Sequence, residues 1–164
     1  MSNLNFKYTK ALIADDESEV RTTIRDMLQR IGITRIYEAV DGNSAIKILD
    51  GRPESIDIII SDWNMPQKNG FEFLKYVNDN YINIPFIMIT GRADHDSVLS
   101  ARSSGVSSYI VKPFTIEELR RKIATVYDAG LCTPITNTSP LSNGNATELE
   151  ALKNIDNPRD IIIK

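Results

Sequence analysis

The chain is poor in the residues that mark secreted, membrane or nucleic-acid-binding proteins. One of its 164 residues is cysteine, Cys132, so no internal disulfide and no cysteine-based zinc site can form. Its neighbours Leu131, Thr133 and Pro134 supply no activating base, and Cys132 reads as a bystander rather than a nucleophile. Positive charge is not in excess. Nineteen Lys and Arg against 22 Asp and Glu leave a formal charge of −3, with no electrostatic footprint for DNA or RNA. No apolar run approaches the ~18 residues of a membrane span. The first eight residues are polar and mixed, without the apolar centre of a signal peptide. No membrane association is expected, and a reducing, cytoplasmic setting is. Histidine also occurs once, as His95, which reads as a solvated surface residue rather than a phosphodonor or ligand.

What is present is an ordinary globular composition, 41% hydrophobic and 25% charged, in a chain long enough for one domain with a full core. Short apolar runs alternate with amphipathic stretches. Residues 10–14, 35–39, 56–61, 85–90 and 107–111 have the length and bounding turn residues of strands. Between them, Val20, Ile24, Met27, Leu28 and Ile31 recur at helical spacing from Ser18, an expected N-cap, to Gly32, an expected stop. Asp41 is placed to cap a helix carrying Ala45, Ile46, Ile48 and Leu49, ending near Gly51-Arg52-Pro53. A third helix is expected over 70–80, with Phe71, Leu74 and Val77 inward, and a fourth over 94–104. Thr115 and Glu118 form a capping-box pattern for the last.

Five strand–helix units in strict alternation predict an α/β fold: a doubly wound, five-stranded parallel sheet with helices on both faces, flavodoxin-like. A closed eight-fold barrel needs about 250 residues and is excluded by length. The folded domain is expected over 1–129. Residues 130–164 begin with a Thr-, Ser-, Asn- and Pro-rich stretch and end in Ile161-Ile162-Ile163. They are expected to be a polar linker or C-terminal tail, with a lead into an output domain left open.

The chemistry collects at the C-terminal ends of the strands, where open α/β sheets bind ligands. The third run drives from Ile58-Ile59-Ile60 into Asp62, a charge that is costly to desolvate inside a strand and so belongs at its tip. The first strand delivers Asp15 and Asp16, the fourth Thr90, and the fifth Lys112 followed by Pro113. Singly, each has a plain reading: the acids as turn or cap residues, Lys112 as a solvated lysine. Together they bring three carboxylates, a hydroxyl and an ammonium to one edge. Two carboxylates 4–5 Å apart repel by roughly 3–4 kcal/mol at an effective dielectric near 20, so the cluster calls for a cation. Hard oxygen donors with room for water suit Mg2+ better than zinc or copper. A carboxylate can act as nucleophile and form an acyl phosphate, with a metal ion and a lysine neutralising the transferred group.

Asp15-Asp16, Asp62, Thr90, Tyr109 and Lys112-Pro113 resemble the receiver domain of two-component response regulators, over about residues 8–129. The run Asp62-Trp63-Asn64-Met65-Pro66 is similar to that of single-domain chemotaxis regulators that bind the flagellar motor switch. The resemblance implies a phosphorylatable receiver rather than a turnover enzyme. Asp62 would accept a phosphoryl group from a sensor histidine kinase. Asp16, Asp62 and the backbone carbonyl of Asn64 would bind Mg2+ directly, and Asp15 through water. Lys112 and Thr90 would contact the phosphoryl group. Thr90 and Tyr109 would form the switch that alters the surface of the fourth helix, fifth strand and last helix, including Phe114 and Ile116, for a downstream target protein or output domain. Asn64 and Arg92 would tune the phosphate's lifetime, and Arg92 departs from the acid usual there in chemotaxis regulators. The competing enzyme reading is a Mg2+-dependent aspartyl phosphohydrolase. Such enzymes typically carry a second Asp two residues after the nucleophile, where this chain has Asn64, which cannot do acid–base work. A further alternative is a receiver fragment of a longer regulator. Before the resemblance is considered, Tyr109 reads as a plain edge-strand aromatic, and Arg120-Arg121-Lys122 as a solvated helix face.

Overall fold

Ile58, Ile59 and Ile60 are all fully buried, because their strand is covered on both faces. The computed structural model describes residues 6–51, 56–81, 83–91 and 105–128. In chain order the elements are β1 (Lys10–Ala14), α1 (Ser18–Ile31), β2 (Arg35–Ala39), α2 (Gly42–Asp50), β3 (Ile58–Asp62), α3 (Gly70–Asn80), β4 (Phe86–Thr90), β5 (Ser108–Val111) and α4 (Ile116–Asp128). The five strands are all parallel, in the order β2-β1-β3-β4-β5. The chain runs outward from β1 to β2 and then returns to the far side of β1 with β3. This is the strand order expected of a doubly wound, flavodoxin-like sheet, with its switch point between β1 and β3. The helix expected over 94–104, together with Arg92, His95, Cys132 and residues 130–164, lies outside the described residues.

Strand alternation sorts the core into two layers. Ala11 and Ile13, Ile58 and Ile60, Ile87 and Ile89, and Ile110 pack against Ile24, Leu28 and Ile31 of α1 and Leu119, Ile123 and Val126 of α4. The intervening residues Leu12, Ala14, Ile59, Phe86 and Met88 pack on the other face against Ala45 and Leu49 of α2 and Phe73, Leu74 and Val77 of α3. Tyr109 belongs to this second layer, opposite Ile110, as alternation along β5 requires.

The helix ends follow local chemistry, with two differences from expectation. Asp41 caps α2 as expected: its side chain accepts the Ser44 N–H at 2.7 Å, and the Ser44 hydroxyl answers to the Asp41 N–H. Thr115 and Glu118 close the same reciprocal box at α4. Gly32 ends α1 at φ 106°, a conformation that glycine adopts without a Cβ clash. Ser18, expected to cap α1, is its first helical residue; the cap position falls to Glu17, whose side chain makes no capping bond. On α3 it is Phe73, not Phe71, that is fully buried. Gly70 tucks beneath the Asp62 carbonyl and so rotates the helix to put residues 73, 74 and 77 inward. Phe71 lies at the flank against Trp63, with ring centroids 5.8 Å apart.

Candidate functional site

β1 and β3 are hydrogen-bonded neighbours with Ala14 level with Ser61, so the residues that follow, Asp15 and Asp62, end side by side at the switch point. The parity that buries Ile13, Ile60 and Ile110 on the α1 side carries Asp15, Asp62 and Lys112 onto that same side of the sheet edge. β4 lies between β3 and β5, with Asp62 level with Ile89 and Thr90 level with Val111. The ladder continues past the strand ends, as Trp63 N–H donates to the Ile89 carbonyl and Lys112 N–H to the Thr90 carbonyl, each at 2.8 Å. The backbone of the site is therefore an extension of the sheet, which makes it rigid. The Lys112–Pro113 peptide is cis.

Three of the expected residues meet in direct contact. Lys112 Nζ lies 2.8 Å from Asp62 Oδ1 and 3.0 Å from Asp15 Oδ2, with Glu17 Oε1 at 3.9 Å. Asp62 Oδ2 accepts the Asn64 N–H at 2.7 Å, and Asp15 Oδ1 accepts the Glu17 N–H at 2.9 Å. Asp15, Asp62 and Thr90 are buried, whereas Asp16 and Asn64 are exposed. Burial pushes the Asp62 carboxyl above its ordinary range, and the Asp15 charge adds to this; the Lys112 ammonium and the Asn64 N–H pull it back without cancelling the rise. Burial draws the Lys112 ammonium down, but its bonds to Asp62 and Asp15 outweigh that, and it is held above its ordinary value.

The remaining expected residues are distributed around this centre. Tyr109 is half-buried, with Lys122 Nζ 5.2 Å from its ring centroid in a cation–π position. Arg120 and Arg121 are exposed, whereas Lys122 is half-buried there. Phe114 and Ile116 were expected on the same surface as Tyr109. They pack instead on the α1 layer, across the sheet, and Phe114 lines a groove of about 320 Å3 with Val20, Ile24 and Met27. Among the described residues, no three His, Cys, Asp or Glu side chains converge as a metal cluster. The donors that do converge are hard carboxylate oxygens beside a carbonyl-bearing loop, which fits a hard divalent cation completed by water.

Sequence reasoning passed over Arg21 and Glu38. Arg21 Nη1 donates to the carbonyls of both Asp15 and Asp16, and Glu38 on β2 pairs with Arg21 and Arg25. Their signal was weak, since an arginine on an otherwise amphipathic helix reads as a solvated face.

The chain belongs to the response regulator receiver domain family, whose model matches residues 11–124. It is a phosphorylatable receiver of two-component signalling, a signalling protein rather than a turnover enzyme. Chemotaxis regulators are among the proteins it is similar to. Chemotaxis protein CheY of Pseudomonas aeruginosa is 36% identical over 121 residues, which is 73% of this chain and 96% of the relative. Chemotaxis protein CheY1 of Helicobacter pylori (strain J99) is 39% identical over 119 residues, 71% of this chain and 95% of the relative. Among solved structures, the chemotaxis response regulator CheY4 of Vibrio cholerae superposes with a TM-score of 0.65 at 32% identity, covering 72% of this chain and 98% of that one. These likenesses do not favour the phosphohydrolase reading. Among the described residues, no helix is long and apolar enough to cross a membrane.

Proposed function

We propose that Asp62 is the phosphoacceptor. The observation that carries this is the single Lys112 ammonium held between Asp62 and Asp15 at 2.8 and 3.0 Å. It keeps two buried carboxylates together at the sheet edge against their mutual repulsion. A carboxylate oxygen of Asp62 attacks the phosphorus of a phosphohistidine on a sensor histidine kinase. The P–N bond breaks, and its electron pair stays with the departing imidazole. Lys112 then faces the phosphoryl oxygens and offsets their charge. Thr90, on the neighbouring strand end, supplies a hydroxyl to the same group. Water later attacks the phosphorus, the P–O bond to Asp62 breaks, and inorganic phosphate leaves with the carboxylate restored, so the receiver itself supplies the catalysis of transfer and slow loss.

Asp15, Asp16, Asp62 and the Asn64 carbonyl would hold Mg2+, which neutralises charge on the transferring phosphoryl group when bound. Asn64, exposed two residues after Asp62, and Arg92 set the lifetime of the phosphate by controlling the approach of water. The switch joins Thr90, drawn toward the phosphate, to Tyr109 on the strand beside it. The target, a separate protein or an output domain, reads the Tyr109 side of β5 and α4. Residues 130–164 serve as a tail or as the link to such a domain. The setting is cytoplasmic, where a histidine kinase presents its phosphohistidine.

The test is phosphorylation by a small-molecule phosphodonor with Mg2+. The parent chain should acquire an acyl phosphate sensitive to hydroxylamine, and Asp62→Asn should acquire none. Undiminished incorporation in that variant overturns the assignment.

A further inference from the structure

The loop that carries the acidic pair is gripped from two sides by two cations with different tasks. Lys112 touches carboxylates. Arg21 meets the loop through its backbone: its Nη1 donates to the Asp15 carbonyl at 2.8 Å and to the Asp16 carbonyl at 3.2 Å. The helix that follows begins without a side-chain cap, because Glu17 makes no capping bond. The β1–α1 loop is therefore fastened by an arginine reaching back from the first turns of α1. The guanidinium is well covered, with 14% of its side chain exposed, and Glu38 Oε2 on β2 stands 3.5 Å from its Nε. Glu38 also pairs with Arg25, one turn further along α1. This tie holds the Arg21 guanidinium at the two carbonyls of the loop.

We propose that Arg21 is a positioning residue for the acidic pair. Through two backbone carbonyls it sets where the Asp15 and Asp16 carboxylates stand, and so tunes the site's affinity for a divalent cation without touching that cation. Glu38 orients Arg21 for this task. A planar guanidinium with several donors can bridge two successive carbonyls and still meet a carboxylate, which a lysine ammonium cannot do in the same fixed geometry. The inference rests on the reading of Asp15 and Asp16 as cation ligands.

The experiment uses the full chain. Mg2+ is titrated by calorimetry and by Trp63 fluorescence, and amide exchange at Glu17, whose N–H donates to Asp15 Oδ1, is measured without metal. Arg21→Met should raise the Mg2+ dissociation constant about tenfold, the low end of what losing a group that orients a metal ligand costs. Its phosphorylation rate should fall more at limiting than at saturating Mg2+, because excess cation makes up for the lost affinity. Exchange at Glu17 should quicken. Arg21→Lys keeps the charge and should fall between the two. A folded Arg21→Met that binds Mg2+ like the parent overturns the proposal. If that variant does not fold, parent-like Mg2+ binding by Arg21→Lys overturns it. If the parent itself binds no Mg2+, the cation reading fails, and unchanged Glu17 exchange would separately refute positioning by Arg21.

Discussion

The Lys112 ammonium, delivered just after β5, stands 2.8 Å from Asp62 Oδ1 at the end of β3. The same nitrogen reaches Asp15, 97 residues earlier in the chain, at 3.0 Å. One cation thus keeps two buried carboxylates tolerable in a shared pocket. Lys112→Met leaves both facing each other, and unpaired buried charge is costly. The fold should lose about 1–3 kcal/mol in urea unfolding without metal. Added Mg2+ should recover part of that loss, and phosphoryl transfer should slow even where Mg2+ is saturating. Unchanged stability would mean that the pair is not held by Lys112.

Gly70 begins α3 directly beneath the Asp62 carbonyl, and a Cβ there would overlap that carbonyl and come within 3.1 Å of Met88 Sδ. Gly70→Ala must therefore push α3 away from the end of β3. A loss of about 1–3 kcal/mol is expected from the forced shift. Displacement of Asp62 should also lower the phosphorylation rate of the folded fraction. Thermal unfolding and a phosphorylation time course measure the two effects separately.

Phe73 is fully buried and meets Phe86 edge-on, with centroids 5.4 Å apart, whereas Phe71 is half-buried at the flank. Phe73→Ala should cost about 3–5 kcal/mol. Phe71→Ala should cost clearly less, and should alter Trp63 fluorescence because the two rings pack together. Equal losses in denaturant unfolding would contradict the helix phase seen here.

Asp41 caps α2, and the Ser44 N–H that bonds it holds its carboxyl below the usual carboxylate range. A folded value below the unfolded one means that the carboxylate form stabilises the fold. That contribution is complete above the unfolded value of about 3.9 and is lost as pH falls through the lower folded value. Asp41→Ala should cost about 1 kcal/mol at neutral pH. Asp41→Asn should keep most of the cap while flattening the acid limb of the stability profile. An Asp41→Ala variant whose urea midpoint follows the parent's at every pH would show that the cap contributes nothing.

Much of the fold was legible from pattern alone. The apolar runs at Lys10–Ala14 and Arg35–Ala39 match β1 and β2 residue for residue, and the expected cap at Asp41 and capping box at Thr115 are present. These features are local: a strand's alternation and a cap's bond involve residues within a few positions of each other. Ser18 and Phe71 went differently for equally physical reasons. A serine before an apolar run does not reveal whether the preceding residue can take the cap's extended backbone. The phase of α3 depends on a glycine packing against a strand end, a contact between elements that periodicity does not contain.

The site divides in the same way. That Asp15, Asp16, Asp62, Thr90 and Lys112 belong to one sheet edge follows from where each stands in its strand–helix unit, since parallel strands bring their C-terminal ends together. Which of them touch did not follow. Lys112 bridges Asp15 and Asp62, Asp16 is exposed, Phe114 falls on the α1 side rather than beside Tyr109, and Arg21 grips the acidic loop by its carbonyls. Such contacts depend on strand register, side-chain direction and the approach of helices packed from opposite layers. Those are properties of residues far apart in the chain, and they take definite values only when the sheet has assembled and both layers have closed over it.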